Sequence, residues 1–228
     1  TYKGEALGQS LDDFSELRMS NDALDDRDEL WHRMEGDGYL FIKGLLNEDE
    51  VLAARQEVMN RLMAGGVLDK GYPAIDGIAA PDKEIDGRAT GSFMPLLARN
   101  NPQLDKVIHE GPVIDFYEFF LGGPAQYFDY TWFRSKRPGL HTATTPHCDI
   151  VYMGRGTTNL YTSWIPYGDV PYEMGGLILL EGSHKLADLK AGYGSTDVDL
   201  YCENEGDAEA IVNTARAEGR NLSNEERA

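Results

Sequence analysis

Apolar positions recur at helical spacing through the first half of the chain and give way to aromatic and β-branched runs in the second half. The first thirty residues are polar and acidic, and lead into a predicted helix near residues 25–36, stopped by Gly36-Asp37-Gly38. Tyr39-Leu40-Phe41-Ile42 then reads as a short buried strand. Asn47 is a good N-cap, and Glu48, Asp49 and Glu50 suit the positive end of a helix dipole. Val51, Leu52, Arg55, Val58, Met59 and Leu62 recur on one helical face, so a helix is predicted to about residue 64, ended by Gly65-Gly66. Residues 67–100 carry little periodicity and read as loop. A second long helix is predicted over 102–120, stopped by Gly122-Gly123-Pro124.

The texture changes after that stop. Residues 126–135, 146–152, 159–165 and 176–180 each have the aromatic and β-branched content of a strand. From residue 187 the chain is polar and acidic again, with one predicted helix around 207–217. The expected organisation is one domain over 1–228: a mostly helical part at 1–125, a β core at 126–186 and a polar insertion at 187–228. The expected class is mainly β with flanking helices.

Charge narrows the partners. The chain has 39 acidic against 21 basic residues, a net charge of −18, and no clustered stripe of Lys and Arg for phosphates. Nucleic acid and anionic membrane surfaces are therefore excluded as expected partners. Cys148 and Cys202 stand far apart and form no Cys-x-x-Cys motif, which points to a reducing compartment. No apolar run approaches the roughly 18–20 residues that cross a bilayer, and no signal-like start is visible. The expected location is cytoplasmic. The chain starts at Thr1, so the natural start is expected to lie upstream.

The candidate chemistry centres on His147-Cys148-Asp149, at the head of an expected strand. Residues i and i+2 share one face of a strand, so imidazole and carboxylate would converge while Cys148 turns away. A neutral nitrogen and an anionic oxygen suit a divalent first-row metal, and two histidines with one carboxylate mark non-haem iron(II) oxygenases. A lone His-x-Asp is weak, because chance occurrences are common. Its setting strengthens it: Lys136-Arg137-Pro138-Gly139 lies upstream, Thr162-Ser163-Trp164-Ile165-Pro166 downstream, and Gly175-Gly176-Leu177 through Gly182-Ser183-His184-Lys185 beyond. Gly36-Asp37-Gly38-Tyr39 through Gly44-Leu45-Leu46 stands near the front.

This ordered set, from about Trp31 to Lys185, resembles the phytanoyl-CoA dioxygenase family. The resemblance implies a double-stranded β-helix of the jelly-roll, cupin-like kind. It also implies Fe(II), 2-oxoglutarate as co-substrate and O2, with succinate, carbon dioxide and a hydroxylated small molecule as products. His147 and Asp149 match the first two metal ligands. Trp164 stands where the family often places a Trp beside the co-substrate. Trp132 is a candidate for the same pocket, with a core aromatic as the plainer reading. Lys136 is a candidate for a carboxylate contact, or a solvated lysine. Arg88, in a glycine-containing loop, is a further co-substrate candidate.

The match departs from the family late in the chain. A second ligand histidine, followed about ten residues later by an Arg for the distal carboxylate of 2-oxoglutarate, is not found; bidentate guanidinium pairing is the reason for Arg there. Three explanations stand: a chain lacking its C-terminal β-strands, a site completed by His184, or a non-catalytic relative or one completed by a partner chain. His32 reads as a helix-surface residue, His109 as a packing-boundary residue and His141 as a loop residue. Tyr152, Tyr161, Tyr167 and Tyr172 are candidates to line a pocket, in strands that are commonly Tyr-rich. The rival functions are a regulatory or binding module without chemistry, and a different cupin-type metalloenzyme independent of 2-oxoglutarate.

Overall fold

Asp26 opens the first helix, α1 (Arg27–Asp37), by accepting a hydrogen bond from the Glu29 backbone N–H at 3.0 Å. Gly38 closes it in the left-handed conformation (φ 84°), its N–H bonded to the Met34 carbonyl. The computed structural model describes residues 14–81, 95–128, 130–135, 144, 146–154, 156–157, 159–197, 214 and 217–218. Helix α2 (Glu48–Ala64) starts where the sequence predicts: the Asn47 side chain accepts from the Glu50 N–H, and three acids occupy the first turn.

The long helix predicted over 102–120 is two helices, α4 (Pro102–His109) and α5 (Pro112–Leu121), which follow the single turn α3 (Pro95–Ala98). The break falls at Gly111 (φ 56°), with Pro112 in the first turn of α5. A proline there lacks the N–H that a continuing helix needs and preorganises a new start instead. Asn101 caps α4 while fully buried, accepting from the Leu104 N–H and donating to the Leu97 carbonyl. Both ends of its amide are thereby satisfied.

The chain forms two compact units, one of Thr1–Thr145 with Ser163–Gly182 and one of Pro146–Thr162 with Ser183–Ala228. The first unit holds most of the core. Ala54, Ala98, Leu104 and Val107 pack into one cluster, Val58, Leu62, Leu68 and Leu97 into another, and Phe133 borders both. Helix α1 lies on α5: the Trp31 indole stacks on Phe120 at 4.5 Å and donates its N–H to the Phe120 carbonyl. Arg27 adds donors to the Phe120 and Leu121 carbonyls, which covers the last turn of α5. Arg33, buried beneath the preceding loop, holds Asp22 with both terminal nitrogens and Glu29 with Nε. That fork keeps the Asp22 carboxyl at about 2.

Gly122 terminates α5 in the left-handed conformation (φ 76°), and a Cβ built there would come within 2.6 Å of the Arg27 guanidinium. Gly122→Ala is expected to cost more than about 1 kcal/mol, since backbone strain and the displaced guanidinium add. A urea midpoint unchanged from the parent would refute this packing.

The mainly β expectation is overturned. The structure is helical with essentially no sheet, and among the described residues only two isolated bridges form, Met19 with Phe41 and Leu68 with Ala79. The Met19–Phe41 bridge is what stands at the predicted strand 39–42. Residues 126–128, 130–135, 159–165 and 176–180 run as irregular chain, and residues 150–153 form a helical turn. A strand is defined by its lateral hydrogen-bonded neighbour, and composition supplies none. Among the described residues no second strand lies alongside these segments, and Leu177 (47%) and Leu180 (73%) stay exposed. The jelly roll is therefore not the architecture of this structure. The helix predicted over 207–217 falls almost wholly outside the described residues. No helix among them is long and apolar enough to cross a membrane.

His109 is partly buried, as expected for a residue at a packing boundary, with its ring stacked 4.0 Å from Tyr127. Burial pushes its pKa down, against the opposing pull of Asp105 and Glu110. The unfolded chain therefore binds a proton more readily than the folded one. Stability should fall as pH drops below about 6.5, the ordinary histidine value, toward the depressed folded value. His109→Phe should flatten this part of a chemical-denaturation pH profile, and an unchanged slope would contradict the assignment.

Candidate metal-binding pair

Two residues of the second unit meet where the sequence places the chemistry. Helix α6 (Ile150–Met153) is a single turn anchored by Val151, which is 2% exposed. The Val151 and Tyr152 N–H groups bond back to the carbonyls of Cys148 and Asp149, so the chain curls directly after His147. Asp149 occupies the N-cap position with helical torsions (φ −62°, ψ −26°), yet its side chain makes no capping bond. Its Oδ1 instead lies 3.1 Å from His147 Nε2. The expected convergence is present, but a helical turn rather than a strand produces it.

The pair is partly open, with the His147 side chain 26% and that of Asp149 42% exposed. The two side chains are within ion-pair distance of one another. The same separation fits a metal: two bonds of about 2.1 Å at a right angle place their donor atoms about 3 Å apart. The pair thus fits two of the ligand positions of an iron(II) centre. Among the described residues no group of three His, Cys, Asp or Glu side chains could hold a metal ion, so His184 does not complete one there. His184 sits partly buried in the 3-10 turn Ser183–Lys185 of the Gly-Ser-His-Lys motif.

The immediate surroundings are phenolic. The Tyr152 ring stands edge-on to His147, with centroids 5.9 Å apart and planes at 82°. Tyr193 heads a 3-10 turn (Tyr193–Ser195) after the short helix α7 (Ala187–Ala191), and this turn packs against α6. Burial is the main influence raising the Tyr193 pKa. Tyr193 was not among the sequence candidates, because it lies in the segment read as a polar insertion. The available signal was an aromatic between two glycines, Gly192-Tyr193-Gly194, a poor fit to a solvated tail. Cys148, between the paired residues, carries a free, partly buried thiol.

The remaining candidates divide. Trp164 and Trp132 belong to the first unit. Trp164 is 52% exposed, and Trp132 meets Tyr130 edge-on at 5.0 Å; neither is a core residue. Lys136, Arg88 and His141 lie outside the described residues. His32 is exposed on α1, as expected. Of the other tyrosines named, Tyr167 is the most buried: it packs on the α2–α4 core, and burial drives its pKa well up. Tyr172 instead bonds Glu16 at the surface.

Comparison with known proteins agrees with the motif order. The family profile of phytanoyl-CoA dioxygenase (PhyH) matches residues 34–217. A 1-deoxypentalenic acid 11-beta-hydroxylase from Streptomyces exfoliatus is 25% identical over 170 residues, covering 71% of this chain and 56% of that protein. The enzyme of the same name from Streptomyces arenae is 25% identical over 184 residues, covering 76% of this chain and 60% of its own length. The chain thus spans less than two thirds of these curated relatives. No solved structure matches it significantly. With the profile extending over most of the chain and through both the His-x-Asp and Gly-Ser-His-Lys motifs, this chain belongs to the phytanoyl-CoA dioxygenase family.

Proposed function

We propose that this chain is the part of an Fe(II)- and 2-oxoglutarate-dependent hydroxylase that carries two of the iron ligands, His147 and Asp149. The observation that supports it best is their 3.1 Å approach at the position where the family motif falls. The bound iron would supply the activation of O2. Overall, 2-oxoglutarate, O2 and a substrate C–H yield succinate, carbon dioxide and the hydroxylated product. One oxygen atom goes to succinate and the other to the new hydroxyl, so the balance closes without another reductant.

The chain's own contribution is to present one neutral and one anionic donor on a short, anchored turn. The Asp149 carboxylate occupies the position where halogenating relatives of the family have a small residue that leaves room for chloride, which favours hydroxylation. Trp164, Trp132, Lys136 and Arg88 remain proposed contacts for the co-substrate. The two curated relatives are named as 1-deoxypentalenic acid 11-beta-hydroxylases, and a small organic substrate is proposed here by that likeness. The net charge of −18 disfavours polyanionic substrates.

The absence of a third donor among the described residues favours a second reading, a binding module without turnover. One assay separates the two: 2-oxoglutarate decarboxylation by the protein with added iron(II) and ascorbate. Succinate formed in stoichiometry with O2 consumed supports the hydroxylase, and its absence with iron bound supports the module.

A further inference from the structure

Asp149 stands at the N-cap position of α6 and Tyr152 three residues on, and positions three apart share one face of a helical turn. The Tyr152 N–H bonds the Asp149 carbonyl at 3.0 Å, and Val151, 2% exposed, anchors the turn between them. Pro146, His147 and Cys148 precede the turn without regular secondary structure. The turn thus orders the Asp149 backbone, while the orientation of the His147 ring depends on what that ring meets. The outer torsion of a histidine side chain has broad, roughly two-fold wells, so neighbours rather than an intrinsic preference set its plane.

Tyr152 is such a neighbour. Its ring lies 5.9 Å from that of His147, centroid to centroid, with the planes at 82°. Aromatic pairs attract at this distance and angle, because the positive edge of one ring meets the negative face of the other. One residue is thereby joined to both members of the pair, by its N–H to Asp149 and by its ring to His147. Tyr152 is 47% exposed, so its ring is not there to fill a core.

We propose that Tyr152 is a positioning residue for the metal pair: its ring fixes the plane of the His147 imidazole, while its backbone N–H ties the same turn to Asp149. This rests on the proposed function and deepens it by naming what orients a ligand. The physical reason is preorganisation, since a side chain whose rotamer is held by packing need not be ordered at the moment of binding. An aromatic edge contact corresponds to a factor of about 2 to 10 in an equilibrium constant. The role requires the ring and not the hydroxyl. Tyr152→Phe keeps the contact, and Tyr152→Leu keeps apolar bulk while removing the ring.

The test has two readouts besides turnover. In the metal-free protein, NMR should show a nuclear Overhauser contact between the Tyr152 and His147 ring protons. Tyr152→Leu should shift the His147 ring resonances by removing the ring current, and Tyr152→Phe should leave them close to the parent's. Titration with cobalt(II), followed by its visible absorption, should give affinity weakened by about 2- to 10-fold in Tyr152→Leu and restored in Tyr152→Phe. His147→Ala is measured alongside. If it abolishes cobalt binding while Tyr152→Leu binds like the parent, the positioning role is refuted and the ligand pair stands. If His147→Ala binds cobalt like the parent, the ligand pair itself fails and the positioning role with it. Equal weakening in Tyr152→Phe and Tyr152→Leu would overturn the role of the ring. So would the lack of an Overhauser contact in the parent, a measurement that needs no variant to fold.

Discussion

Asp149→Ala is expected to reduce iron-dependent succinate formation by more than about 100-fold, a larger loss than substitutions beside a metal ligand usually cause. Removing the carboxylate leaves His147 without its 3.1 Å partner and deletes the anionic donor that would offset the metal's charge. Asp149→Glu should recover little, because one more methylene moves the oxygen off the position that the α6 turn provides. The side chain is partly exposed and makes no capping bond, so the folded state should survive. Thermal unfolding within a few degrees of the parent would then locate the loss in chemistry rather than in folding. Undiminished succinate formation by Asp149→Ala would remove the carboxylate from the ligand set.

Phe120→Ala is expected to destabilise the first unit by about 3–5 kcal/mol, the cost of deleting a buried aromatic and leaving a cavity. Phe120 is 1% exposed, stacked on Trp31 at 4.5 Å and on Phe116 at 5.9 Å. It is the side chain through which α1 and α5 meet. The Phe120 carbonyl, which receives the Trp31 and Arg27 donors, remains in the variant but loses the ring that fixes its position. Phe120→Leu should lose less, since it refills much of the volume and forfeits mainly the aromatic stacking. Denaturant unfolding followed by tryptophan fluorescence measures both. A loss below about 1 kcal/mol for Phe120→Ala would show that the α1–α5 contact contributes little.

Much of the helical half was legible because its signals are local. Asn47, three acids and the Gly65-Gly66 pair lie at the ends of α2, and a helix satisfies its backbone within itself. The α4–α5 break carried an equally local sign in Gly111-Pro112, but the apolar spacing across it gave a continuous helix. The strands failed for a different reason. The apolar run Gly176–Leu180 matches what a paired strand requires, but pairing depends on a distant segment that no local pattern specifies.

The candidate site shows both cases. His147 and Asp149 could be singled out from residue type, spacing and motif order, and they do approach one another. The reason given for the approach, alternation along a strand, was not the one at work. Tyr193 could not be found by spacing, since about 40 positions separate its turn from the α6 turn it packs against. Lys136 and Arg88 lie outside the described residues.

By itself, then, the amino-acid order determined the family, the capped helices and which two side chains, His147 and Asp149, to look at together, each encoded in contiguous residues or in the order of short motifs. Only the tertiary structure decided that the 147–149 segment bends as a helical turn, that Tyr152 and Tyr193 flank it, and that Phe120 joins α1 to α5. Those outcomes depend on which remote surfaces gain most by leaving water together, a comparison over the whole chain that no single stretch of residues contains.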